Sequence, residues 1–132
     1  MPFVAIRQRI QTNHTEANLL KGLIRLEISY MDVLIRIKRA VLAGRYAFSE
    51  KARIEMETDD LTELDVAESI LNAVAIYKRL RSSSPLKRNR REYLYVIQST
   101  NLEGLVIYTK GKLVQEAGIE TYYFLVSSKR AL

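Results

Sequence analysis

The sequence predicts an α+β fold, with N-terminal helices packed on one face of a small antiparallel sheet. Three observations carry that expectation. Apolar residues recur at helical spacing through the first half of the chain. Beyond Arg91 the pattern changes to short runs rich in aromatic and β-branched residues. Those runs are separated by brief turn signals, and strands joined by short turns pair antiparallel.

The helices follow in order. Thr15 is placed to cap a helix with Leu19, Leu20, Leu23 and Ile24 on one stripe. Ser29-Tyr30-Met31-Asp32 has the form of a capping box with Asp in place of Glu. It opens a second helix carrying Met31, Val33, Leu34, Ile37, Ala40 and Val41, which Gly44 ends. Ser49 caps a short helix through Ala52 and Met56. Thr62, with Asp65 three residues on, caps another whose buried face is Val66, Ala67, Ile70, Leu71 and Val74. Helical character then runs out through Tyr77 and Lys78 into a long basic loop, Arg81 to Arg91, where Pro85 rules out a continuous helix.

Three strands are expected after the loop. YLYVIQS is the first, Asn101-Leu102-Glu103-Gly104 is a hairpin turn, and LVIYT begins a second strand that extends to Gln115. Ala117-Gly118 marks another turn, and TYYFLVSS is the third strand. If Leu105 and Ile107 face the helices, alternation turns Tyr108 and Lys110 outward.

Composition narrows the chemistry. A chain of 132 residues, 48% hydrophobic, suits one domain with a real core. It has no cysteine and one histidine, His14, so disulfide frameworks, thiolate zinc sites, cysteine catalysis and a Ser-His triad have almost nothing to build on. The five glycines are scattered and form no phosphate loop. Asp59, Asp60, Glu63 and Asp65 cluster, but acids in and before a first helical turn favour its dipole, so neither a metal nor any other cofactor is expected. No apolar run reaches the roughly 18 residues of a membrane span, and MPFVAIRQRI lacks a secretory core, which makes a cytoplasmic protein the expectation.

The net charge of +6 is unevenly spread. Eight acids stand against Lys51 and Arg53 between Glu50 and Glu68, whereas Tyr77 to Tyr93 holds seven bases and one acid, Glu92. A basic edge of this kind suits a nucleic-acid backbone. Arg79, Arg81, Lys87, Arg88, Arg90 and Lys110 are the expected phosphate contacts. Tyr93, Tyr95 and Tyr108 are rings of the kind that stack on bases.

The running pattern also resembles a known family. A helix ending in Ala43-Gly44-Arg45-Tyr46, Phe48 and Ser49 opening a short helix, a helix led by Asp65-Val66, and a last strand ending in SSKR are similar to small bacterial proteins of the MqsR and BrnT kind, within the RelE/ParE-like toxin superfamily. The resemblance covers about residues 31–132, leaving residues 1–30 as a helical extension expected to pack on the domain or on a second copy. One departure is plain: the serine-led helix of that branch carries a histidine where this chain has Lys51.

The resemblance implies a metal-independent endoribonuclease that cuts messenger RNA and is held by an antitoxin protein. Carried over by position, it points to Lys78, Arg91, Tyr108 and Lys129, with Arg130 beside the last, as catalytic residues. Cations there would stabilise charge building on the scissile phosphate, and a tyrosine or lysine would move a proton. The same basic edge also serves a module that binds nucleic acid or an acidic protein without cutting. Convergence of the candidate side chains separates the two readings.

Overall fold

The computed structural model describes residues 14–82, 92–116 and 118–132. Its elements are α1 (His14–Leu42), β1 (Tyr46–Phe48), α2 (Glu50–Thr58), α3 (Glu63–Asn72), β2 (Lys78–Arg81), β3 (Tyr93–Thr100), β4 (Val106–Glu116) and β5 (Ile119–Arg130). The strands form one sheet in the order β1-β5-β4-β3-β2. Helices pack on one face of it, as the period change implied.

The sheet is mixed rather than wholly antiparallel, because β1 lies parallel to β5, with Tyr46 to Phe48 beside Tyr123 to Leu125. Neither β1 nor β2 is among the expected strands. β1 is three residues long, too short to show a period. β2 lies where helical character was expected to run out through Tyr77 and Lys78. Helix α3 stops at Asn72, and the chain turns so that Tyr77 N–H donates to the Val96 carbonyl and Lys78–Arg81 pairs with Tyr93–Val96.

The early stop also corrects the buried face of α3. Val66 and Ile70 are buried, but Val74 lies beyond the helix and is 93% exposed; Ala73 and Ile76 enter the core instead.

Helix α1 is continuous through Ser29-Tyr30-Met31-Asp32, so the second capping box does not form. Neither glycine nor proline interrupts the chain there, and Asp32 lies 4.0 Å from Arg36 one turn on, as in an uninterrupted helix. Gly44, at φ +72°, ends the helix: its N–H donates to Val41 and that of Arg45 to Ala40, the paired bonds of a Schellman cap.

The core joins Val33, Leu34, Ile37 and Val41 of α1 to Ala52 and Met56 of α2, Val66 and Ile70 of α3, and Ile97, Ile107, Tyr123 and Leu125 of the sheet. Residues 15–29 of α1 run past it almost wholly exposed, so that half of the helix does not pack on the domain.

Two polar devices fix the sheet against the helices. The first is Asn101, buried in the β3–β4 turn. Its side-chain oxygen accepts from Glu103 and Leu105 N–H at 3.1 and 2.8 Å, and its amide donates to Asp65 at 3.1 Å. Asp65 is itself the third residue of the Thr62 capping box, so one side chain ties the turn to a helix start.

The second device covers the edge of β5. Among the described residues that strand has no partner on the β1 side beyond Leu125, and bare edges invite pairing with other chains. Helix α2 lies there instead. Ser49 donates through N–H to the Leu125 carbonyl and through its hydroxyl to Val126. Glu55 accepts from the Ser127 hydroxyl at 2.7 Å and from Ser128 N–H at 3.3 Å, and Asp59 from Arg130 N–H at 2.8 Å.

Candidate nucleic-acid interface

Strand alternation decides which side chains face away from the core. Ile97, Ile107, Tyr123 and Leu125 point to the helices, so Gln98, Tyr108, Lys110, Lys112 and Phe124 point the other way. Cross-strand register then assembles two cation–aromatic pairs on that open face. Tyr108 lies opposite Lys129, whose Nζ stands 5.4 Å from the ring centroid. Lys112 lies opposite Phe124, with its Nζ at 5.9 Å. Lys78, on β2, and Lys110, on β4, flank Val96 in one cross-strand row; Val96 itself is fully buried, so the two lysines are separated by a covered position.

Each element is fixed where it stands by packing below it. A β-bulge between Lys110 and Gly111 lets β5 continue past Val126 with Lys129 in register with Tyr108. Gly111 is required at the bulge: a Cβ there would sit 2.6 Å from Tyr123 Cζ and 2.8 Å from the Phe124 carbonyl. Tyr123 is fully buried, and its ring occupies the space the glycine leaves.

Glu55 completes one end of the face. Its Oε2 lies 3.9 Å from Lys129 Nζ, while Oε1 is held by Ser127 and Ser128. Burial raises the Tyr108 phenol above its ordinary pKa, and the Glu55 charge raises it further, so the hydroxyl stays protonated and available as a donor. A carboxylate, an ammonium and a neutral phenol thus converge at the β4–β5 end of the sheet. At the other side Lys112 is paired with Glu92 at 3.0 Å, which leaves it less free than Lys110 for an outside anion.

Comparison with family models, with curated proteins and with solved structures found no match for the chain.

Of the residues expected to be catalytic, the structure brings Tyr108 and Lys129 together. Arg130 is at the same end but turned to α2, its Nε donating to the Asp59 carbonyl at 3.2 Å. Lys78 is on the open face but two strands from Tyr108, with its Nζ over Tyr77 at 5.9 Å. Arg91, Lys87, Arg88 and Arg90 lie outside the described residues.

Two expected phosphate contacts take up other positions. Arg79, expected where helical character runs out, is on β2 and alternates to the helical side, where its guanidinium stacks 4.2 Å from the Tyr93 centroid and 5.7 Å from that of Tyr30. Arg81 shares its strand and parity. Tyr95 lies beside them, its phenol raised by burial against the opposing charges of Arg79 and Arg36.

The acidic cluster is spent on structure. Asp65 caps α3, Asp59 holds Arg130, and Glu63 pairs with Arg53 at 3.2 Å. Among the described residues no group of acidic or histidine side chains is arranged to hold a metal ion, and no helix is long and apolar enough to cross a membrane.

Sequence reasoning missed Glu55, Lys112 and Phe124. Lys112 was within reach, since it shares parity with Tyr108 and Lys110. Phe124 needed the β4–β5 register, and Glu55 needed the docking of α2 on the β5 edge, which no local pattern announces.

Proposed function

We propose that this protein binds single-stranded RNA on the open face of its sheet. The observation that carries the reading is the pairing of aromatic rings with lysines on that face: Tyr108 with Lys129, and Phe124 with Lys112, beside Lys110 and Lys78. Rings accept the faces of unstacked bases whatever their sequence, and ammonium groups follow the phosphates. Two neighbouring strands present the pairs side by side, so bases and backbone are engaged together.

A second reading has its own support. The convergence of Glu55, Lys129 and Tyr108 suits metal-independent cleavage, as in the toxin-like endoribonucleases the sequence resembles. In that reaction Glu55 takes the proton of the ribose 2′-OH, which attacks the adjacent phosphorus. Lys129 faces the charge that builds on the phosphoryl oxygens, Tyr108 donates a hydrogen bond to them, and the 5′-oxygen leaves with a proton from solvent. An antitoxin would then be an acidic partner covering the same face.

Both readings are tested in one set of tubes. A fluorescently labelled single-stranded RNA is titrated with the protein in EDTA, followed by anisotropy and then by a denaturing gel. Binding that weakens at least tenfold in Tyr108→Ala/Lys110→Ala/Lys129→Ala, with salt dependence reduced, supports the binding face. Cleavage lost in Glu55→Gln with binding retained supports the second reading. An intact RNA leaves binding alone, and no binding at low salt removes both.

A further inference from the structure

The 29-residue α1 carries a second apolar stripe that the core does not use. Leu20, Ile24, Ile28, Met31, Ile35 and Leu42 are between 47% and 72% exposed. At 3.6 residues per turn they fall within about 80° of one another, centred roughly 140° from the stripe formed by Val33, Ile37 and Val41. Lys21, Arg25, Asp32 and Arg36 occupy the side between them, where solvent suits them. We propose that α1 is a dimerisation helix, pairing along this outward stripe with α1 of a second copy of the chain.

The spacing fits a helical partner. Leu20, Met31 and Leu42 are eleven residues apart, and so are Ile24 and Ile35. An eleven-residue repeat gives 3.67 residues per turn, which keeps an apolar seam in line along a nearly straight helix. The seam runs about 33 Å from Leu20 to Leu42.

The free half of the helix needs such a partner. Residues 15–29 are almost wholly exposed among the described residues, and a helix of that length without tertiary contacts is marginal in water. Leu19, Leu23 and Leu26 continue the core-side stripe there, with exposures of 41% to 64%. The six side chains of the outward stripe, at on the order of 100 Å² each, give about 600 Å² per partner, the low end of the size range of a stable interface.

A second copy is the occupant the stripe itself specifies. The one charged residue within its arc, Lys38, is tied to the domain, its Nζ donating to the Ala73 carbonyl, and Leu20 and Leu42 stand equally far on either side of Met31. A twofold axis at Met31 therefore lays the stripe on its own copy, the commonest symmetry of soluble oligomers. The stripe belongs to the helical layer and points away from the core, so dimerisation leaves the open sheet face free and does not depend on the RNA reading.

The test uses the full chain at high micromolar concentration. Light scattering after gel filtration is expected to give twice the 15.2 kDa chain mass. Ile24→Glu/Ile28→Glu/Ile35→Glu is expected to halve it while near-ultraviolet circular dichroism of the sheet tyrosines is retained. Because the chain has no cysteine, Met31→Cys should close a disulfide-linked dimer under mild oxidation, whereas Arg25→Cys on the polar side should not. A monomeric wild type, a Met31→Cys variant that stays monomeric, or a dimer that survives the triple substitution overturns the proposal.

Discussion

Removing the Glu55 carboxylate tests how the edge of β5 is held. Glu55 accepts from the Ser127 hydroxyl and from Ser128 N–H, and both serines are buried, at 1% and 0% exposure. Glu55→Ala leaves two buried donors without their acceptor, at about 1–3 kcal/mol each. The Lys129 contact adds little, about 0–1 kcal/mol, because its ammonium is half exposed and 3.9 Å away. The long Ser128 bond belongs at the low end of its range, so about 3 kcal/mol is expected in all. For a chain of this size that lowers Tm by roughly 10 °C. Glu55→Gln keeps an acceptor oxygen and should cost only about 1 kcal/mol. Thermal unfolding followed by circular dichroism measures both. An alanine variant within about 2 °C of wild type refutes the edge-capping argument. If glutamine is as damaging as alanine, the negative charge rather than the acceptor holds the strand.

Further outcomes follow from single contacts. Gly111→Ala should destabilise by about 1–3 kcal/mol in urea titration, since its Cβ meets the buried Tyr123 ring and a backbone carbonyl. Tyr123→Phe should be neutral or slightly stabilising in the same titration, because the buried hydroxyl has no hydrogen-bond partner among the described residues. Asp65 is held below its ordinary pKa chiefly by the Thr62 backbone N–H, with burial opposing. Its folded pKa is depressed, so its contribution is present above the unfolded value near 3.8 and is lost as pH falls through the folded one. Asp65→Asn should accordingly lower Tm at pH 7 and converge with wild type once the pH falls below the depressed folded pKa.

Much of the fold was legible because local signals and tertiary packing agree. Ser49 and Thr62 cap helices where the sequence says they should, and Gly44, Gly104 and Gly118 take positive φ at the expected stops and turns. The alternation through Ile107 and Tyr108 holds in the sheet. Where reading failed, a tertiary contact overrode a local one. Ser29 and Asp32 have the letters of a capping box, but the helix on both sides is in phase and nothing breaks it. Lys78 to Arg81 carries no strand alternation of its own and becomes β2 only because β3 offers a bare edge. The site was half visible for the same reason: Tyr108 and Lys110 follow from parity within one strand, whereas Lys129, Phe124 and Glu55 reach them through register and helix docking.

The central claim, that the open sheet face carries RNA, is met most directly by an amide chemical-shift titration of the isotope-labelled protein with a short single-stranded RNA. The account predicts that the largest perturbations fall on Tyr108, Lys110, Lys112, Phe124 and Lys129, with α1 and α3 unchanged. Perturbations confined to the helical side around Tyr30 and Arg79, or none at low salt, would contradict it.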